Sequence, residues 1–216
     1  TPVKTRDFEW NLNANISFNR NKIIKISDTA SSKSIWVSTT EAKEVVYFEG
    51  SSIGSSNYCA QTANIFMEGY PMGLFYGYKI KGIVGVGQTG LPFVEGGVGG
   101  TEGQFDYYDL NENGYLDIDD RTIIGNPNPD FTYGFGTSFS YKRFTLNVDF
   151  NGSYGNDIFN FNAAVETDTY NSTRNIFRDA YYKAWTPENP DTIYPALGKI
   201  RSDDYKRFTS FYVKDG

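Results

Sequence analysis

Residues 109–120 form an acidic segment with the spacing of a calcium-binding loop. They read Asp-Leu-Asn-Glu-Asn-Gly-Tyr-Leu-Asp-Ile-Asp-Asp and fit the template D-x-[DN]-x-[DN]-G, in which Gly114 makes the sharp turn. Such a loop supplies oxygen ligands from alternating positions and from its last position. The expected ligands are Asp109, Asn111, Asn113, the backbone carbonyl of Tyr115, Asp117 and Asp120. The pattern predicts a Ca²⁺ site, and a metal-free Asx-rich turn is the alternative.

The last position of this loop departs from the usual pattern. Asp120 stands where a bidentate Glu is common, and its shorter side chain should weaken the affinity for Ca²⁺. An extracellular site tolerates weak affinity, because calcium is abundant there. Residues 104–108 before the loop are aromatic and do not resemble a helix. We therefore expect a loop between strands rather than between two helices.

The composition excludes several kinds of chemistry. The chain has no His and one Cys, Cys59, so it lacks the residues for Ser-His-Asp catalysis, a His-ligated metal or an internal disulfide. Its net charge of −6 disfavours nucleic acid as a partner, because phosphate contacts need clustered Lys and Arg. The acidic pairs Asp119-Asp120 and Asp203-Asp204 suggest glycoside hydrolysis only weakly, since adjacent side chains on a strand point to opposite sides. We expect no enzyme activity.

Aromatic residues dominate the candidates for contact with a ligand or a partner. The chain contains 17 Tyr, 17 Phe and 3 Trp. Aromatic side chains in loops serve either packing or recognition, and both readings stay open for each one. The candidates are Trp36, Tyr58, Tyr107, Tyr108, Tyr170 and Trp185.

Three segments alternate between apolar and polar residues, the first of them strictly. Residues 8–18 place Phe, Trp, Leu, Ala, Ile and Phe at even positions and mostly Asn at odd ones. Residues 131–141 and 144–151 repeat the pattern on either side of Lys142-Arg143, which predicts a hairpin with a very short turn. Strands of about 9–11 residues with aromatics near their ends are typical of membrane-spanning β-barrels. No stretch approaches the roughly 18 apolar residues of a transmembrane helix.

The alternation predicts an all-β fold and leaves two architectures open. An antiparallel transmembrane barrel segment fits the strand length, whereas a soluble β-sandwich also alternates but uses strands of about 5–6 residues. Further strands are expected at 72–84 and 45–49, with long irregular stretches at 19–43, 85–130 and 155–205. In a barrel these stretches are extracellular loops, and the turn at Lys142 is periplasmic. The residues after Thr1 show no charged and apolar segments of a signal peptide, so we expect an internal fragment.

A family resemblance then becomes specific. The acidic loop ending in Asp120-Arg121, the segment Ile124-Gly125-Asn-Pro-Asn-Pro and the strand start Tyr133-Gly134-Phe135 follow one another as in SusC/RagA-type TonB-dependent transporters. Other pieces match in the same order: Phe8-Glu9-Trp10, Gly69-Tyr70-Pro71, Phe75-Tyr76-Gly77-Tyr78, Gly152-Ser-Tyr-Gly-Asn-Asp157, Trp185 and 211–216. The resemblance covers nearly the whole chain.

The resemblance implies a fold, a function and partners. Residues 1–216 would be one fragment of a receptor barrel domain of about 22 strands, without the plug domain and the final strands. The implied function is TonB-dependent import of oligosaccharides or oligopeptides across the outer membrane. A SusD-like lipoprotein would act as the lid, and TonB would contact regions outside this segment. A soluble, calcium-dependent carbohydrate-binding β-sandwich is the alternative, and such a protein would stay in solution without detergent.

Overall fold

The computed structural model describes residues 2–28, 32–54, 59–94, 98–167, 175–198 and 207–216. Within these ranges the chain is mainly β-structure, which confirms the predicted all-β class. The strands are Val3–Lys4 (β1), Phe8–Ser17 (β2), Ser32–Trp36 (β3), Ala42–Glu49 (β4), Asn64–Met67 (β5), Leu74–Tyr78 (β6), Ile80–Ile83 (β7), Phe93–Val94 (β8), Val98–Gly99 (β9), Phe105–Tyr107 (β10), Tyr115–Leu116 (β11), Arg121–Gly125 (β12), Phe131–Tyr141 (β13), Phe144–Tyr154 (β14), Asp157–Phe159 (β15) and Val213–Asp215 (β16). The helices are Phe161–Glu166 (α1) and Arg178–Tyr182 (α2), with 3-10 turns at Ile118–Asp120 and Ser210–Tyr212. No helix in these ranges is long and apolar enough to cross a membrane.

The long strands form one antiparallel sheet in the order β1-β2-β13-β14. β13 and β14 pair along their full length, from Tyr141 opposite Phe144 to Phe131 opposite Tyr154. The turn between them is the dipeptide Lys142-Arg143, and Lys142 takes the positive φ of 53° that such a turn needs. The predicted hairpin is confirmed.

The register gives this sheet one apolar and one polar face. Odd positions of β13 lie opposite even positions of β2 and β14, so the apolar sets of all three strands share a side. Their side chains are largely exposed within this chain, with Phe144 at 81 % and Phe150 at 57 %. Aromatic rings occupy both ends of the face, as in the stacked pair of Trp10 and Phe139, 5.8 Å apart, and the pair of Phe131 and Tyr154, 5.2 Å apart.

A separate two-stranded sheet, β15-β16, follows the long sheet. β15 follows β14 after Gly155 and pairs antiparallel with β16, with Ile158 opposite Lys214. Both long connections, 18–130 and 160–212, therefore leave and re-enter the sheet at the same end, opposite the Lys142 turn. The five-stranded ring, the acidic loop and the described helices are gathered at this end.

A closed ring of five short strands occupies this end, in the order β12-β3-β4-β5-β6. β12 closes it by pairing antiparallel with β6 and parallel with β3. The ring encloses its own small core, made of Ile35, Ile65, Met67, Leu74 and Tyr76. The prediction of irregular stretches at 19–43, 85–130 and 155–205 is wrong in part, because they contain β3, β12, α1 and α2 among other elements. These elements are too short to show a periodic pattern.

A second core joins the two long connections. Phe208 and Tyr212, both almost fully buried, pack with Phe75, Phe105 and other residues from the first connection. The strand predicted at 72–84 is two strands, β6 and β7, that separate at Lys79, and the one predicted at 45–49 is the second half of β4. The structure thus places a compact rim on top of a two-faced sheet.

Candidate functional site

The acidic loop folds around the amide groups of its own centre. Asp109 accepts hydrogen bonds from the backbone N–H of Asn113 (3.2 Å) and of Gly114 (2.8 Å). Asn111 Oδ1 also accepts from the Asn113 N–H at 3.0 Å, and Asn113 Nδ2 donates to Asp117 Oδ2 at 3.0 Å. Gly114 has a φ of +81°, which an L side chain rarely adopts. Four of the predicted ligand residues therefore converge on one turn.

The Asp120 side chain binds the loop backbone from its buried side. Its side chain is fully buried, and its carboxylate accepts from the backbone N–H of Leu110 (2.8 Å) and of Asp117 (2.7 Å). Burial raises the pKa of Asp120; the two backbone hydrogen bonds oppose this, while the charges of Asp117 and Asp109 add to it. Leu110 and Leu116 are buried and hold the loop against the protein. The carboxylates repel one another in a site that a cation would neutralise.

The residues that follow tie the loop to the five-stranded ring. Arg121 makes two hydrogen bonds to the Glu49 carboxylate, at 2.8 and 3.1 Å, and its guanidinium lies 4.8 Å from the Tyr76 ring centroid. Burial lowers the pKa of Arg121, but the hydrogen bonds to Glu49 and the charges of Glu49, Tyr76 and Tyr78 together outweigh it, and the net pKa is raised. Lys33 Nζ lies 2.6 Å from Asp119 Oδ1. The end of the loop is thus fixed to β3, β4 and β6.

The polar face of the long sheet is the second candidate surface. Its rows run across the strands, with Asn13, Gly136 and Asp149 side by side. A Cβ at Gly136 would lie 2.4 Å from Asn13 Oδ1 and 2.5 Å from Asp149 Oδ1, so the polar side chains fill the space that glycine leaves. Neighbouring rows repeat the arrangement with Asn, Ser and Gly. This face can hydrogen-bond water or a polar solute along its length.

The structure separates the predicted aromatic contact residues. Trp36 ends β3 half-buried, opposite Thr122 and Ala42. Tyr107 is 4 % exposed and packs against Tyr78 and Phe105, so its ring belongs to the core. Tyr108 is half-buried, and Lys81 Nζ lies 5.1 Å from the centroid of the Tyr108 ring. Tyr58 and Tyr170 lie outside the described residues.

Trp185 lies beside a groove that the sequence pattern did not predict. Its ring is 6 % exposed, and the groove of about 900 Å³ that it borders is also lined by Tyr181 and Tyr182. Asn189 and Thr192 in the lining bond to the Lys183 carbonyl, so their polar groups hold the loop together. The three aromatic residues within 181–185 were the feature of the sequence that could have predicted this groove.

The acidic pairs do not form a catalytic arrangement in the described part of the chain. Asp119 faces outward to Lys33, whereas Asp120 is buried under the loop. The two carboxylates therefore point apart, as expected for adjacent residues. Asp203 and Asp204 lie outside the described residues. Cys59 is buried beside the Arg207 carbonyl, 3.9 Å away, and burial raises its pKa to about 12, so it stays an unreactive thiol.

Curated relatives match the chain along nearly its whole length. TonB-dependent receptor P3 of Formosa agariphila is 33 % identical over 220 residues, which is 99 % of this chain and 19 % of the receptor. TonB-dependent receptor SusC of Bacteroides thetaiotaomicron is 27 % identical over 205 residues, 94 % of this chain and 17 % of the receptor. The chain thus spans about a fifth of the length of the curated relatives it matches. No family model matches it.

Solved structures support the fold. The structure of the RagAB peptide transporter superposes with a TM-score of 0.62 at 19 % identity, covering 99 % of this chain and 20 % of that one. The RagAB peptide importer in its open-open state gives a TM-score of 0.61 at 20 % identity, over 98 % of this chain and 19 % of that one. These matches agree with the two-faced sheet and the rim above it, and the chain belongs to the SusC/RagA-type TonB-dependent receptors.

Proposed function

We propose that this chain forms part of the wall and outer rim of an outer-membrane receptor that imports oligosaccharides or oligopeptides with energy from TonB. The observation that carries the proposal is the two-faced sheet of β2, β13 and β14. Its apolar face, with aromatic rings at both ends, suits lipid and the two membrane interfaces. Its face of Asn, Ser, Asp and Gly suits a hydrated lumen. A membrane sheet has to close into a barrel, because lipid cannot pair with free strand edges.

The topology supports an orientation for this wall. Outer-membrane barrels have short periplasmic turns and long extracellular loops. The two-residue turn at Lys142 then faces the periplasm, and the ring, the acidic loop and the Trp185 groove form the extracellular rim. A SusD-like lipoprotein seated on this rim would act as a lid over incoming ligand. The similarity to SusC and to the RagAB transporters supports such a partner.

Both ligand classes are consistent with the polar face. Asn side chains carry donors and acceptors, which suit sugar hydroxyls and peptide backbones alike. One solved relative is described as a peptide transporter. Transport requires no bond-breaking by this chain, and the known relatives are receptors and transporters rather than enzymes.

The proposal is tested on the full-length protein in outer membranes of its host. Extraction should release it only with detergent, together with a lipoprotein partner that mass spectrometry identifies. Uptake of an oligosaccharide or peptide that the pair binds should stop when the TonB gene is deleted. A protein that stays soluble without detergent would instead favour the calcium-dependent β-sandwich module.

We also propose that the loop 109–120 binds Ca²⁺ through Asp109, Asn111, Asn113, the Tyr115 carbonyl, Asp117 and Asp120. Two observations support this site. The side chains of Asp109, Asn111 and Asp117 all bond to Asn113, and the buried carboxylate of Asp120 lies near two other acidic groups. Among the described residues no group of three or more His, Cys, Asp or Glu is placed to hold a metal ion. The proposal therefore rests on the residue types and spacing of the loop, which combine carboxylate, amide and carbonyl oxygens as calcium ligands.

Calorimetric titration with CaCl₂ after chelation tests this site in detergent-solubilised receptor. We expect a dissociation constant of about 10⁻⁴–10⁻³ M, the range of extracellular modules. Asp109→Ala and Asp117→Ala should abolish this binding step. Glu112→Gln is the matched control, because Glu112 lies in the same loop but at a position that supplies no ligand. An unchanged titration in Asp109→Ala would leave only a metal-free turn.

A further inference from the structure

A cleft of about 430 Å³ opens beside the acidic loop. Its lining includes Tyr115 and Asp117 from the loop, Phe93 from β8, Gln61 before β5, and Arg207 from the second long connection. It is separate from the groove at Trp185, whose lining shares none of these residues. The cleft brings together aromatic, amide, acidic and basic side chains from segments far apart in the sequence.

One wall of the cleft is an exposed aromatic platform. Phe93 and Tyr115 are paired in the parallel β8–β11 ladder, and their ring centroids lie 5.9 Å apart at an angle of 40°. They remain 48 % and 59 % exposed, although rings of this size normally contribute most when buried. Their electron-rich faces are available to the polarised C–H groups of a sugar ring.

The rest of the lining carries hydrogen-bond donors and acceptors. Arg207 is buried, with its guanidinium 6.0 Å from the Tyr107 centroid, and can only donate. Asp117 can only accept when ionised. The buried Oε1 of Gln61 has no hydrogen-bond partner in the described part of the chain, which leaves an acceptor for a donor that enters the cleft. Hydroxyl groups, which both donate and accept, suit this mixture.

The charge and shape of the cleft distinguish between ligand classes. Its described lining holds one cation, Arg207, and one anion, Asp117, so it has no excess charge to attract a strongly ionic ligand. A peptide held by strand addition needs a continuous free strand edge. The neighbouring strand β11 is two residues long, which is too short for that. The combination favours an uncharged carbohydrate.

We propose that this cleft is a subsite of the rim for a neutral oligosaccharide, with Phe93 and Tyr115 stacking on one sugar ring and Gln61 and Arg207 bonding to its hydroxyls. The inference rests on the proposed import function and narrows its ligand class. Tyr115 contributes to two features at once. Its backbone carbonyl belongs to the acidic loop, and its ring forms the cleft wall.

The test uses detergent-solubilised full-length receptor on an array of neutral hexasaccharides and a library of random decapeptides. We expect binding to at least one neutral glycan, followed by titration of that glycan against variants. Tyr115→Ala keeps the backbone carbonyl and should weaken binding by about tenfold, as loss of a stacked ring predicts. Tyr115→Phe should bind as the wild type does.

Phe48→Ala is the matched control. Phe48 is also an exposed rim aromatic, at 58 %, and it pairs with Phe66 outside the cleft. It should leave glycan affinity unchanged. Wild-type affinity in Tyr115→Ala would overturn the subsite. Binding of peptides without any glycan would overturn the carbohydrate inference and leave the import function standing, whereas binding of neither would contradict both.

Discussion

Gly77 is the position where one added methyl group should disturb the rim most. It lies in β6, and a Cβ there would be 2.1 Å from the backbone oxygen of Phe208 and 2.9 Å from its carbonyl carbon. The same carbonyl accepts a hydrogen bond from the Tyr78 N–H at 2.8 Å. Gly77→Ala cannot be relieved by rotating a side chain, because the clash is with backbone. The segment around Phe208 has to move away from β6.

The cost of this displacement follows from the two interactions affected. Overpacking a close-packed core costs about 1–3 kcal/mol, and leaving a buried hydrogen-bonding group unpaired costs about 1–3 kcal/mol. Together they predict that the segment near Phe208 opens more easily by about 2–6 kcal/mol. At about 1.4 kcal/mol for each factor of ten, the open population rises roughly 30-fold to about 20,000-fold.

Cys59 reports this opening directly. It is fully buried beside the Arg207 carbonyl, next to Phe208, so alkylation by N-ethylmaleimide requires the segment to move. In Gly77→Ala the labelling rate of Cys59, followed by peptide mass spectrometry, should rise at least about 30-fold. Gly82→Ala is the control, because a Cβ there meets nothing within 4 Å. An unchanged labelling rate in Gly77→Ala would refute the packing argument.

Two further substitutions test the rim and the wall. Glu49→Gln weakens the charge-assisted hydrogen bonds to the mostly buried Arg121 and should destabilise the ring by about 1.5–3 kcal/mol. Hydrogen exchange of the β12 amides measures this, and Lys33→Gln at the exposed Asp119 pair should cost under about 1 kcal/mol. Val148→Arg puts a charge near the middle of the apolar face and should cost about 2–4 kcal/mol. It should lower the heat-modifiable folded fraction in outer membranes, whereas Asn147→Arg on the polar face should not; equal loss in both would contradict the assignment of faces.

The long strands could be predicted from the sequence because one physical constraint acts on every residue. In the proposed barrel, lipid on one side and water on the other require alternation along most of β2, β13 and β14. The short turn followed from Lys142-Arg143 standing between two such runs. The acidic loop between two strands could also be predicted, since its residue types and spacing are local, whereas its Ca²⁺ ligands remain a prediction.

The rim could not be predicted in the same way. β12 closes the five-stranded ring by pairing with β3 and β6, and nothing local in the sequence indicates those distant partners. The strand Ser32–Trp36 buries only Ile35 fully, so it shows no alternation. The cleft at Tyr115 depends on the approach of Arg207 from more than 90 residues away along the chain. Tyr107 was predicted as a candidate for ligand or lid contact, but it lies in the core, because a single aromatic carries no signal of burial.

The central claim is that the two faces of the long sheet meet lipid and water. Nitroxide labels at Phe135→Cys and Ser138→Cys, in a cysteine-free full-length receptor reconstituted in bilayers, test it by collision with oxygen and with a water-soluble nickel chelate. The label at 135 should collide mainly with oxygen, which concentrates in lipid, and the label at 138 mainly with the nickel chelate. Equal access of the chelate to both positions would contradict the account.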